Sequence, residues 1–150
     1  MRPNEGLRDP FQQARLWRQS RSIETITQQI ALLTSKNAPF LAHCIESVGP
    51  QHGDHVTNAM LGLSWHQFAE ALDCVWIINK QMEWSLSRQV NGLNGYMVYA
   101  SEAKKLGLTA GFFCTGFQDA PHVQFRRNSS PLSVFSYAEI DQEMHRRFGG

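Results

Sequence analysis

The residues best equipped for chemistry lie in two short segments, Ser64-Trp65-His66-Gln67-Phe68-Ala69-Glu70-Ala71-Leu72-Asp73 and Asp119-Ala120-Pro121-His122. They offer two imidazoles and a carboxylate, on His66, Asp73 and His122, of the kinds that bind a metal. They add a second carboxylate, Asp119, three residues before the last histidine. A zinc ion with three protein ligands keeps a fourth position for water, the arrangement of hydrolytic rather than structural sites. The chemistry indicated is metal-assisted hydrolysis, with Asp119 able to accept and return a proton.

Spacing limits how these residues can meet. On one straight strand His66 and Asp73 would stand roughly 23 Å apart on opposite faces. On one helix they would share a face but sit about 10 Å apart along the axis. Neither arrangement puts both within about 2 Å of one ion. If both are ligands, the chain between them must bend back. Ala71 to Ile78 then reads as a strand with Asp73 near its start. Pro121 biases Ala120 toward extended backbone, and His122-Val123-Gln124-Phe125 alternates as a strand does, so His122 is expected on a neighbouring strand.

The surrounding elements follow from caps and periodicity. Asp9 as N-cap and Pro10 at the first helical position start a helix expected to run to Arg21. Ser22 to Thr34 is expected as a second helix, with Ile23, Ile26, Ile30 and Leu33 forming a core stripe. Ala38 to Val48 is a third, and Gly49 to Gly62 is loop-rich. Gly95 to Leu106 is a fourth, closed by Gly107. Strands are expected at Cys74–Ile78, Gly111–Cys114 and His122–Phe125. A tail from Asn128 opens with turn residues and carries a short helix at Tyr137–Phe148, to which no chemistry is assigned. Helices against a small antiparallel sheet make an α+β fold. The expectation is one domain over residues 1–150, with a C-terminal tail of 127–150.

These motifs resemble the zinc peptidase family that contains the D-alanyl-D-alanine carboxypeptidases, the vancomycin-resistance dipeptidases and the phage L-alanyl-D-glutamate endolysins. The family pattern Ser-x-His-x-x-Gly-x-Ala-x-Asp is met by Ser64, His66, Ala71 and Asp73, and Ala69 stands where glycine is usual. Asp119, Pro121 and His122 match the later Asp-x-Pro-His form of the endolysin branch. Val56-Thr57-Asn58-Ala59 resembles that branch too, and Arg8 to Gln13 looks like its Arg-x-x-x-x-Gln segment. Four motifs in the right order carry more weight than any one alone, and the resemblance, which covers about residues 6–126, implies a catalytic core there. The resemblance implies a hedgehog-like, D-Ala-D-Ala-peptidase-like fold and a Zn2+ ion held by His66, Asp73 and His122. It implies Asp119 as general base and acid, and Arg8 as the oxyanion stabiliser. Ser64 and Gln13 would support the site. The implied substrate is a peptidoglycan stem peptide cut between L-Ala and D-Glu. A D-Ala-D-Ala carboxypeptidase and a catalytically silent wall-peptide-binding module remain open. Family members usually carry a further helix and strand before the arginine segment; here only Met1 to Gly6 is available as a strand.

Taken singly, each residue also has a plain structural reading. His66 could be a packed, hydrogen-bonded histidine, Asp73 a strand opener, Asp119 a loop acid and Arg8 a solvated charge. Order and spacing together favour the metal. His43, His52, His55 and His145 keep the plain reading, and His52-Gly53-Asp54-His55 falls in a Pro- and Gly-flanked loop. A formal net charge of +1 gives no general pull toward nucleic acid. No apolar run approaches membrane-spanning length, and the polar first residues show no secretory signal. Cys44, Cys74 and Cys114 read as reduced, mostly buried thiols of a protein made in the cytoplasm. Such a protein would reach the wall after release or export.

Overall fold

Caps and turn residues set the element boundaries, as a computed structural model of residues 1–150 shows. In chain order the elements are β1 (Arg2–Glu5), α1 (Pro10–Arg18), α2 (Ile23–Ser35), α3 (Pro39–Ser47), β2 (Ala71–Ile78), β3 (Gln81–Glu83), α4 (Gly95–Lys105), β4 (Thr109–Ala110), β5 (His122–Gln124) and α5 (Tyr137–Phe148). Short 3-10 turns occupy Trp65–Phe68, Gly111–Phe113 and Pro131–Ser133. The result is a mixed α+β chain with five helices and a small antiparallel sheet. No helix is long and apolar enough to cross a membrane.

The chain divides into two compact units, Met1–Leu7 with Phe68–Arg127, and Arg8–Gln67 with Asn128–Gly150. The first holds the sheet, in the order β1-β2-β5-β4, with β3 also paired to β2. Asn79 and Lys80, both at positive φ (50° and 67°), turn β2 back into β3, as a two-residue hairpin of primed type requires. Alternation along β2 gives the sheet two distinct faces. Leu72 belongs to the face that packs with Val123 and Ala110 against Ala100 and Ala103 of α4. On the same side, the Trp76 and Tyr96 rings meet edge to face at 6.4 Å. Asp73 and Val75 point the other way.

The second unit is helical. Asp9 accepts the Gln12 N–H at 2.8 Å and starts α1, while Ser22 accepts the Thr25 N–H at 3.2 Å and starts α2. Helix α1 ends at Arg18 instead of Arg21, because Ser20 adopts φ 63°. Leu33, Leu41, Ile45, Ile140 and Met144 form its fully buried centre.

Two further sequence expectations are corrected here. Gly111–Cys114 is a 3-10 turn rather than a strand, and the strand lies just before it at Thr109–Ala110. Ile23 is 65% exposed, so the α2 core stripe reduces to Ile26 and Leu33 with Ile30 at its margin. The cysteines are mostly buried, as expected: Cys44 and Cys74 lie inside and Cys114 is exposed. Burial first, then the charges of Asp141 and Asp9, push the Cys44 thiol up to about 12.

Candidate metal centre

The sheet unit supplies a carboxylate and an imidazole side by side. Asp73 on β2 and His122 on β5 are directly opposed residues of an antiparallel pair, so their side chains leave the same face as close neighbours. His122 Nδ1 lies 2.9 Å from Asp73 Oδ1. Its Nε2 lies 3.0 Å from Oε1 of Gln124, which is on the same face two residues along the strand. Both side chains of the Asp73–His122 pair are largely covered, at 23% and 18% exposure. Burial alone would lower the pKa of His122. The hydrogen bonds that the ring donates to Asp73 and Gln124, with the charges of Asp73 and Asp119, outweigh it and raise the pKa above its ordinary value.

Asp119 stands at the head of the turn that delivers His122. Its carbonyl accepts the His122 N–H at 3.1 Å, and its own N–H donates to the Gly111 carbonyl at 3.1 Å. The backbones pass so closely that a Cβ on Gly111 would lie 2.3 Å from the Asp119 carbonyl oxygen, so position 111 excludes any side chain. The Pro121 carbonyl accepts the Cys74 N–H at 2.9 Å, which joins the turn to β2. This lone proline carbonyl satisfies a strand donor beyond the end of the β5 ladder.

The helical unit holds the other candidate residues. His66 is 4% exposed and sits in the 3-10 turn Trp65–Phe68. The Ser64 hydroxyl accepts the His66 N–H at 3.4 Å, and the Ser64 carbonyl accepts the Gln67 N–H at 3.0 Å. Arg8 donates its backbone N–H to the His66 carbonyl at 3.4 Å. Its guanidinium donates to Oε1 of Gln13 at 2.9 Å. Gln13, fully buried, donates in turn to the Ala59 carbonyl at 2.6 Å and to the Thr57 hydroxyl at 3.5 Å. The Arg8–Gln13 segment, the Val56–Ala59 run and the Ser64–His66 segment are therefore one hydrogen-bonded assembly within this unit. Ser64 and Gln13 take part in it through hydrogen bonds alone.

His66 of the helical unit, and Asp73 and His122 of the sheet unit, carry donor groups that could hold a metal ion. Two imidazoles and one carboxylate are the donor types that zinc accepts, so the residues fit the ion by their chemistry. Both ring nitrogens of His122 are engaged, so coordination there replaces a hydrogen bond to Asp73 or Gln124. The other histidines lie apart in character. His145 stacks on Phe40 at 4.9 Å, His43 meets the Phe11 edge, and His55 pairs with Asn58 at 2.9 Å. Sequence reasoning missed Gln124, although its position two residues after His122 on an alternating strand places it on the same face. No family model, curated protein or solved structure matches the chain.

Proposed function

We propose that this chain is a zinc-dependent peptidase acting on peptidoglycan stem peptides. The observation that carries the reading is the cross-strand Asp73–His122 pair at 2.9 Å, with Asp119 in the turn immediately before His122. His66, Asp73 and His122 would hold the ion. When bound, the metal supplies Lewis acidity, which activates water and polarises the scissile carbonyl. The remaining work falls to this chain's own groups. Asp119 takes a proton from the attacking water and delivers it to the departing amine. The Arg8 guanidinium, steadied by Gln13, donates N–H groups to the oxygen on which negative charge develops. Gln124 limits rotation of the His122 ring.

Within this class the Asp119-Ala120-Pro121-His122 sequence favours cleavage between L-Ala and D-Glu. Removal of a terminal D-Ala is the alternative. A catalytically silent module that binds wall peptides is the second reading, because Ala69 stands where the resembled pattern has glycine. Digestion of purified peptidoglycan, with and without chelator, separates these readings by mass analysis of the products. Fragments with newly exposed glutamate amines, lost on chelation, support the endopeptidase. Release of free D-Ala selects the carboxypeptidase. Intact peptides after incubation with zinc-loaded protein remove the catalytic reading, and retention of that protein on the wall then supports the binding module.

A further inference from the structure

The sheet unit contains a cavity of about 450 Å3 lined by two cations and no acid, within the size range of small-ligand sites. It lies where the last turn of α4 passes through Gly107 into β4 and the 3-10 turn beyond. Lys104 extends its ammonium to 5.6 Å from the centroid of the Phe113 ring. The adjacent Lys105 pairs with Glu102 at 2.7 Å, and Arg126 engages Glu70 through two N–H groups at 2.5 and 3.1 Å. Lys104 and Arg127 take no part in these or any other ion pairs. Leu108 and Phe113 supply apolar wall, and the exposed Cys114 lies at the rim.

The cavity also has a defined relation to the His122 strand. Thr109 of β4 is the direct partner of Gln124, so its side chain shares the face that carries Gln124 and His122. The wall continues into the turn whose first residue, Gly111, abuts the backbone of Asp119.

The geometry points to a subsite for the carboxylate of an acidic peptide, held between Lys104 and Arg127 with its aliphatic part against Leu108 and Phe113. This deepens the peptidase reading and rests on it for the peptide's identity. A glutamate beside the cut bond carries a carboxylate that the chain of peptide bonds does not use. Charge-assisted contacts at a solvent-facing rim are individually modest, so each cation changes affinity several-fold. Lys104 also sits where a cation offsets the α4 dipole. That role alone would affect stability without any preference for an acidic ligand.

Cys114 provides the readout, since it lines the cavity while Cys44 and Cys74 are buried. The rate of Cys114 alkylation by iodoacetamide is measured with increasing L-alanyl-D-glutamate γ-methylamide, its α-carboxyl either free (the acid) or amidated (the amide). The acid should protect at concentrations roughly fivefold or more below the amide, and Lys104→Met and Arg127→Met should each reduce that preference several-fold. Arg127 is exposed and outside any helix, so its variant decides the matter even if Lys104→Met weakens the fold. Equal protection by acid and amide overturns the subsite, as does an undiminished preference in Arg127→Met. Acid-selective protection in protein that cleaves no wall peptide keeps the subsite and removes the peptidase. Cleavage without acid preference does the reverse.

Discussion

Ala69 adopts φ 59° in the bend between His66 and Asp73, a left-handed conformation in which a Cβ crowds the following carbonyl. That crowding costs roughly 1–2 kcal/mol in an L-residue. Ala69 is exposed, so no packing depends on its methyl group. Ala69→Gly should relieve the strain and lose about 0.4–1 kcal/mol to greater freedom of the unfolded chain. The expected net gain is on the order of 0.5–1 kcal/mol, readable in a urea titration. A destabilised variant would show that the bend is held by something other than local backbone preference. Asp119 poses a sharper question, because its backbone already has a structural task on both sides. Asp119→Asn keeps the size and the turn but removes the base. Under the proposed mechanism zinc content and melting temperature should stay near wild type while hydrolysis falls by about 100-fold or more. If stability falls and turnover per folded molecule survives, Asp119 serves the turn alone.

At the scale of elements, α3 begins without a side-chain cap of its own, since its N-cap is Ala38. The missing acceptor comes from α5, where the buried Asp141 carboxylate accepts the Leu41 N–H at 2.8 Å. A negative charge there also suits the helix dipole. Asp141→Ala leaves a buried donor unpaired and should cost roughly 1–3 kcal/mol, measured by denaturant unfolding. A loss below about 0.5 kcal/mol would mean that water replaces the carboxylate. The far end of α5 carries a weaker device. Hydrogen bonds from Arg146 and Arg147 hold Glu143 down at about 2. A depressed carboxylate contributes stability that is complete above its unfolded value and lost as pH falls through the folded one. Exposed helical pairs contribute only about 0.3–0.5 kcal/mol each. Glu143→Gln should therefore be less stable than wild type by less than about 1 kcal/mol at pH 7. The difference should vanish near pH 2, and a difference that persists there would trace the effect to packing. The helices were legible in sequence because Asp9, Ser22, Asn94 and Ser136 announce their starts, each accepting a backbone N–H of the first turn. The short strands were not. Thr109–Ala110 carries no alternation to read, and β3 is specified by the Asn79-Lys80 turn rather than by its own residues. Gly111-Phe112-Phe113 has strand-like composition, yet the close pass of Asp119 against Gly111 dictates a tight turn.

For the molecule as a whole, the near-neutral charge balance leaves local chemistry, not a global field, to select partners. The donor types and their order could be read from sequence, as could the strand that carries Asp73 and the one that begins at His122. Two features that qualify the site could not. The Gln124 bond to His122 depends on strand register, and the division into two units depends on long-range contacts. Metal binding links these local features to the stability of the fold. An ion bound only by the native state stabilises it by mass action, about 2.7 kcal/mol at a hundredfold excess over its dissociation constant. For a chain of this length that corresponds to a rise in Tm of about 5–10 °C. His122→Ala removes a proposed ligand and also one hydrogen bond of Asp73, so the variant should melt lower even without metal. The informative quantity is therefore the increment between zinc-loaded and chelator-treated samples of the same protein. That increment should be present in wild type, retained in Asp119→Asn, and largely lost in both His122→Ala and Asp73→Ala. Equal increments in wild type and His122→Ala would place the ion among other groups, such as the exposed His52 and His55, and the assignment of His66, Asp73 and His122 would fall with them.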